Sequence, residues 1–295
     1  MSFRISLPQE LINEVIDNLS RSANADVEAC SLVSKRWAYP ARKRLFHHIR
    51  VYPGDIEGWL SRPPESVQRM APHIFKFELS DYWTSRSRGV PPFLWDDSEN
   101  LFTPLIASLA TSPVRWLRIK SFGMGGFGKA TLEQCFEPIC RSLRSLEMDN
   151  LTAYPDAARY FFSLFPNLDD LHIGNVLYIP MLRYPPPEWA ECGTKHSPRF
   201  SGTLRFSNTE GSDDSELLAG IASLSPKFRT ISFGVVRSSN WETVRKLMEA
   251  CAETLEEVPL LWWRYTGTER PVLAGFLLAD KIWDRICAVG LPQLF

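Results

Sequence analysis

One short phrase returns along most of this chain: an apolar residue, two others, an apolar residue, one other, an apolar residue. It occurs as Ile74, Phe77 and Leu79, as Val114, Leu117 and Ile119, as Leu143, Leu146 and Met148, and as Leu168, Leu171 and Ile173. Later copies are Phe228, Ile231 and Phe233, then Leu255, Val258 and Leu260; between them Leu204 and Phe206 form a weaker copy without the leading apolar residue. The central residues stand 40, 29, 25, 33, 27 and 27 positions apart. Alternation inside each phrase is the period of a strand with one buried face. Units repeating at roughly 20–50 residues cannot each bury an apolar face alone, so they must stack on their neighbours.

The intervening segments 131–143, 156–165, 215–224 and 241–254 carry helical periodicity. Several phrases are followed by a polar residue suited to a turn, at Asp81, Ser121, Asn150, Asn175 and Asn208. Strand, turn, helix and return is the layout of leucine-rich repeats, and these copies resemble that family. They depart from its pattern: the turn residue comes one position early and the repeat lengths are irregular. The resemblance implies an α/β solenoid with a parallel, concave sheet and outer helices over 74–295. It also implies an open face made by the residues between the apolar positions: Glu78, Arg118, Glu147, His172, Arg205 and Ser232, with Lys120, Asp149 and Ser207 beside them. Their mixed signs suit a protein ligand and lack the basic stripe of a nucleic-acid groove.

The first fifty residues read differently. Ser6 and Gln9 bracket a helix start, Pro8 suits the first turn, and Leu11, Ile12, Val15, Ile16 and Leu19 form one apolar stripe. A second set follows at Cys30, Val33 and Trp37; Tyr39-Pro40 suggests a break before a third helix bearing Leu45 and Phe46. The strings LPQEL and CSLVSKRW, in this order and spacing, closely resemble the F-box. That resemblance covers about residues 5–50 and implies docking on a Skp-type adaptor, and through it cullin, by Leu7, Pro8, Leu11, Ile12, Ile16, Leu19, Cys30, Val33 and Trp37. An F-box fused to such repeats resembles the substrate receptors of SCF ubiquitin ligases, notably fungal ones. The expected organisation is F-box 1–50, helical junction 51–73 (Trp59, Leu60, Val67, Met70), and repeats 74–295. A scaffold outside any ligase is the alternative within the same class.

Composition limits the rest. A formal net charge of −1 gives no global pull toward nucleic acid or anionic membrane. No apolar run reaches the length of a bilayer span, and the start of the chain turns polar too early for a signal peptide. Six scattered cysteines without a C-x-x-C pair suggest reduced thiols and an intracellular setting, cytoplasmic or nuclear.

Chemistry finds little purchase. Residues 123–128, GMGGFG, match G-x-G-x-x-G between a strand-like and a helix-like segment, with Glu147 and Asp149 further on. Strands of a doubly wound nucleotide fold read as continuous apolar runs. Here they alternate, as in Leu117-Arg-Ile-Lys, so a flexible glycine turn on the rim of the repeats is the preferred reading over a nucleotide-binding enzyme. Cys192 and His196 lack a second ligand pair, and no nucleophile elbow or paired carboxylates occur. Neither enzyme activity, cofactor nor metal is expected. Lys35, Arg36, Arg42, Lys43, Arg44 and Arg50 read as solvated helix faces, the acidic stretch 212–216 as a helix start, and Trp262, Trp263 and Tyr265 as a terminal cap or an anchor for a ligand.

Overall fold

The computed structural model describes residues 7–19, 24–80, 102–124, 127–177, 189, 193–207, 215–234 and 240–258. Three helices open the chain: α1 (Gln9–Asn18), α2 (Asn24–Val33) and α3 (Lys35–Phe46). Ile12, Ile16, Val27 and Ala41 form their common interior, flanked by Leu19, Cys30, Trp37 and Leu45. Pro8 precedes the first helical residue rather than standing in the first turn, and its carbonyl accepts the Ile12 N–H at 3.3 Å. Ser34, fully extended, separates α2 from α3, so Val33 and Trp37 belong to two helices and not to one.

No break occurs at Pro40; α3 runs through it. Proline removes the N–H that would bond the carbonyl four residues back, and that carbonyl, of Arg36, accepts instead from Gln9 Nε2 at 3.1 Å. Arg44 performs a related service for α1. Its guanidinium donates to the carbonyls of Ile16 (2.6 Å) and Asp17 (2.8 Å), and also to that of Leu19. A helix end leaves these acceptors open, and a cation there also suits the helix dipole.

The chain then alternates: β1 (His48–Val51), α4 (Ile56–Leu60), α5 (Pro64–Met70), β2 (Lys76–Leu79), α6 (Phe102–Ala107), β3 (Trp116–Lys120), α7 (Lys129–Cys140), β4 (Ser145–Asp149), β5 (Leu151–Thr152), α8 (Pro155–Ser163), β6 (Asp170–Ile173), β7 (Val176–Leu177), β8 (Thr203–Phe206), α9 (Ser215–Ser223), β9 (Thr230–Phe233) and α10 (Trp241–Ala250). Seven strands form one all-parallel sheet in the order β1-β2-β3-β4-β6-β8-β9, and β5 pairs with β7. This is an α/β fold with N-terminal helices and helices interleaved between parallel strands.

Register follows the phrase. Phe77 pairs with Leu117, Leu117 with Leu146, Leu146 with Leu171, Leu171 with Leu204 and Leu204 with Ile231. A bridge from Thr230 to Glu257 continues it toward Val258. One strand was not foreseen: β1, where Ile49 pairs with Phe77. The sheet therefore begins before residue 50. Residues 51–73 run from the end of β1 through α4 and α5 and send Val51, Ile56, Trp59 and Met70 into the core of the sheet.

Alternate strand residues are buried against the helices while their neighbours stay half-open, as in β3 and β4. The middle of that core is aromatic. Phe136 lies 4.9 Å from Phe161 and 5.7 Å from Phe102 and Phe165, centroid to centroid, and Phe102 meets Phe122 and Phe127. Tilted and edge-on contacts at such distances favour the ring quadrupoles.

That cluster also decides the fate of the glycine-rich stretch. Gly123 bridges to Thr152, while Met124 and Phe127 are buried, so the described part of 123–128 is pinned into the core instead of standing free on a rim. The polar turn residues form a chain of their own: Asn175 donates to Asn150 at 3.0 Å and Asn150 to Ser121 at 3.5 Å. Ser121 (φ 59°) and Asn150 (φ 56°) both take the left-handed conformation there, which asparagine tolerates better than most residues. Ser6, Asp81, Asn208 and the aromatic group 262–265 lie outside the described residues. Among the described residues no helix is long and apolar enough to cross a membrane.

Candidate functional site

Parallel register turns one position per strand into a row. Arg50, Glu78, Arg118, Glu147, His172, Arg205 and Ser232 are successive partners across all seven strands. Lys120 and Asp149 pair two positions further along, on the same face. His48, Lys76, Trp116, Ser145 and Asp170 form a further row on the same face, two positions before the central one. All the residues expected on the open face are thus brought to one side of one sheet.

They do not all stand open. Glu78 is 1 % exposed, because cations close over it. Its carboxylate accepts from Ser80 Oγ at 2.8 Å and lies 2.9 Å from Arg50, 3.3 Å from His48 Nε2 and 3.7 Å from Lys120 Nζ. Burial alone would raise the Glu78 pKa; the Ser80 hydroxyl and the Arg50 guanidinium outweigh that and hold it below the ordinary value. Glu78 therefore fixes its neighbours in place rather than presenting itself to a ligand. Ser232 is likewise buried, at 7 %.

Burial lowers the His48 pKa, with Arg50 and Lys76 acting in the same direction against the pull of Glu78. The imidazole is edge-on to Trp116 at 5.5 Å, and Lys76 stands over the same indole at 5.7 Å. Trp116 Nε1 donates to Glu147 at 2.9 Å. Arg118 grips Asp149 through Nε at 3.1 Å and a terminal nitrogen at 2.6 Å, with Glu147 at 3.7 Å. These acids outweigh the cost of burial and raise the Arg118 pKa. A Cβ at Gly174, which follows Ile173 across from Asp149, would stand 2.7 Å from Asp149 Oδ1, so a side chain there would push that carboxylate aside.

Beyond the middle the row opens. His172 reaches Ser207 Oγ at 3.2 Å and Glu147 at 4.0 Å. Arg205 is exposed and has no acidic partner among the described residues. The face is consequently polarised. Strands β1–β3 bring Arg50, Lys76, Arg118 and Lys120 against the single Glu78, whereas β4 and β6 bring Glu147, Asp149 and Asp170.

The expected adaptor contacts divide in two. Ile12 and Ile16 are spent on the interior of the three-helix unit, with Leu19, Cys30 and Trp37 half-buried around them. Leu7 (42 %), Leu11 (46 %) and Val33 (66 %) are exposed, as is Pro8, and so are Val15 and Leu32, which stand outside the expected set. His48, Arg50, Lys76, Trp116 and Asp170 were missed on the sheet. The alternation His48-Ile-Arg-Val held the signal for the first two, hidden inside a basic stretch.

No group of three metal-binding side chains occurs among the described residues, and Lys195 of the Cys192–His196 stretch is tied instead to Glu133 and Ser163. No protein-family model matches the chain, and no curated protein matches it.

Proposed function

We propose that this chain is an F-box substrate receptor of an SCF-type ubiquitin ligase, its sheet forming a divergent leucine-rich-repeat solenoid that holds a protein substrate. One observation carries the reading: the N-terminal helices have a filled interior of their own, yet expose Leu7, Leu11, Val15, Leu32 and Val33. Soluble surfaces expose single aliphatic residues freely, but several on one small unit mark a place where a partner belongs. Each is worth roughly 1.5–3 kcal/mol when fully buried. Several together are needed to offset the roughly 4–15 kcal/mol that association costs. Exposed surface ion pairs, at about 0–1 kcal/mol, contribute little beside them. The strings LPQEL and CSLVSKRW supply the family expectation that the partner is a Skp-type adaptor.

The polar row then serves the substrate. Its side chains are held by one another at fixed spacing, which suits recognition of a protein surface by complementary charge. Catalysis stays with the ligase partners, and the chain needs neither cofactor nor metal.

Co-purification with a Skp-type adaptor tests the proposal. Replacing Leu7 and Pro8 by alanine, or Leu32 and Val33 by serine, should abolish capture while leaving the sheet domain folded by circular dichroism. Undiminished capture by both double variants would refute the assignment.

A further inference from the structure

β1 is the end strand of the sheet, with β2 on one side only. Lys76 N–H donates to His47 O at 2.9 Å and Ser80 N–H to Val51 O at 3.0 Å, so the odd-numbered residues of β1 face β2. Strand alternation then turns the backbone N–H and C=O groups of His48 and Arg50 the other way. No backbone partner meets them among the described residues. Natural sheets cover such an edge or pair it. Here it forms the floor of a cleft of about 870 Å³, walled by Glu28 and Arg42 of the N-terminal helices on one side and by Gly58 and Arg62 on the other. At Gly58 no atom lies within 4 Å of where a Cβ would stand, so that wall leaves room for a guest.

The charges in the cleft are unevenly committed. Arg50 is engaged by Glu78, and Asp55 by the Tyr52 N–H at 3.3 Å. Arg42 is exposed without an acidic partner among the described residues. Arg62 lies over the Trp59 ring at 4.9 Å, which leaves its charge unneutralised. Two arginines therefore face one uncommitted acid, Glu28.

We propose that this cleft binds an extended, acidic segment of a partner protein, which adds to β1 as an eighth strand and sets its carboxylates against Arg42 and Arg62. Main-chain bonds to an open edge give affinity with little demand on sequence, and alternate side chains give preference. This site meets the polar row at Arg50 but does not rest on the adaptor assignment.

A fluorescent, terminally blocked heptapeptide alternating valine and glutamate is the probe, titrated against the full chain by anisotropy. Arg50→Ala and Arg50→Pro lose the same guanidinium, but only proline lacks the outward N–H; an edge strand tolerates proline at such a position. The alanine variant should bind within about threefold of wild type and the proline variant at least about tenfold more weakly than alanine. Arg42→Glu with Arg62→Glu should weaken binding by about tenfold or more. Should Arg50→Pro fail to fold, amide hydrogen exchange in the wild type gives the answer, since saturating peptide must slow exchange at Arg50. Equal binding by the alanine and proline variants, unchanged exchange at Arg50, or no binding at millimolar peptide would overturn the proposal. So would dimerisation through this edge in sedimentation, since the occupant would then be a second copy of the chain.

Discussion

Removing the charge of Glu78 is the sharpest probe of the polar row. Glu78→Gln keeps the shape of the side chain and leaves Arg50, Lys120 and His48 crowded around a neutral group. Breaking a fully buried ion pair costs roughly 3–5 kcal/mol. The cations here keep access to water, with Arg50 and Lys120 side chains 49 % and 32 % exposed, so part of their charge is screened. A loss of about 2 kcal/mol follows, near the value of one charge-assisted hydrogen bond. For a chain of this size that lowers the melting temperature by about 3 °C. Urea unfolding of wild type, Glu78→Gln and the exposed control Glu257→Gln measures it, with no change expected in the control. The pH dependence gives a second reading. The folded-state pKa of Glu78 lies below its ordinary value of 4.5, so its contribution is complete above that value and is lost as pH falls below it. Wild type should therefore lose its margin over Glu78→Gln as pH is lowered through the acid range. A difference under about 0.5 kcal/mol at neutral pH, together with parallel pH profiles, would show that the cluster is ornamental to stability.

Three further outcomes are expected. Asn150→Ala should destabilise by about 1–2 kcal/mol more than Asn150→Gly, because both lose the hydrogen bonds to Asn175 and Ser121 but only alanine resists the left-handed backbone; equal losses in urea melts would contradict this. Gln9→Ala should cost about 0.5–1 kcal/mol with Pro40 in place and almost nothing in a Pro40→Ala background, where the chain supplies its own N–H to the Arg36 carbonyl; amide exchange in α3 reports it, and additive effects would exclude the coupling. Burial raises the Cys251 pKa to about 11, so this thiol should resist alkylation at pH 8 until the chain is unfolded; mass spectrometry finding rapid labelling in the native state would speak against its placement.

The strands were legible because each phrase states both its period and its buried face. Leu117, Leu146 and Leu171 meet in the sheet just as their spacing implied. Strand β1 escaped notice because its copy of the phrase, Phe46, Ile49 and Val51, shares Phe46 with the end of α3 and sits among histidines and arginines. Parity assigns a residue to a face but says nothing of depth. Glu78 was placed on the correct side, yet only the approach of Arg50, Lys120 and the His48 ring from neighbouring strands buries it. The first helix shows the converse. Its apolar stripe is wider than two short partner helices can cover, so Ile12 and Ile16 go inside while Leu11 and Val15 remain outside. Pro40 misled for a local reason with a distant remedy, since the side chain of Gln9, thirty-one residues earlier, supplies the missing donor. Nor did the glycine motif announce that Met124 and Phe127 would anchor it.

Constant register across uneven repeats gives the open face a metric. Neighbouring strands are about 4.8 Å apart, whereas a polyproline II peptide advances about 3.1 Å per residue with three residues per turn. A chain laid across the strands therefore falls out of step with them at once and returns to step after three residues and two strands, both about 10 Å. The row and such a chain form a vernier: every third residue of the guest meets an equivalent position on every second strand. Starting from Arg118, the next coincident position is His172, whereas Ser232 beyond it lies buried. Selectivity read by this face would accordingly carry a period of three in the partner, a rhythm belonging to neither β-strand nor α-helix.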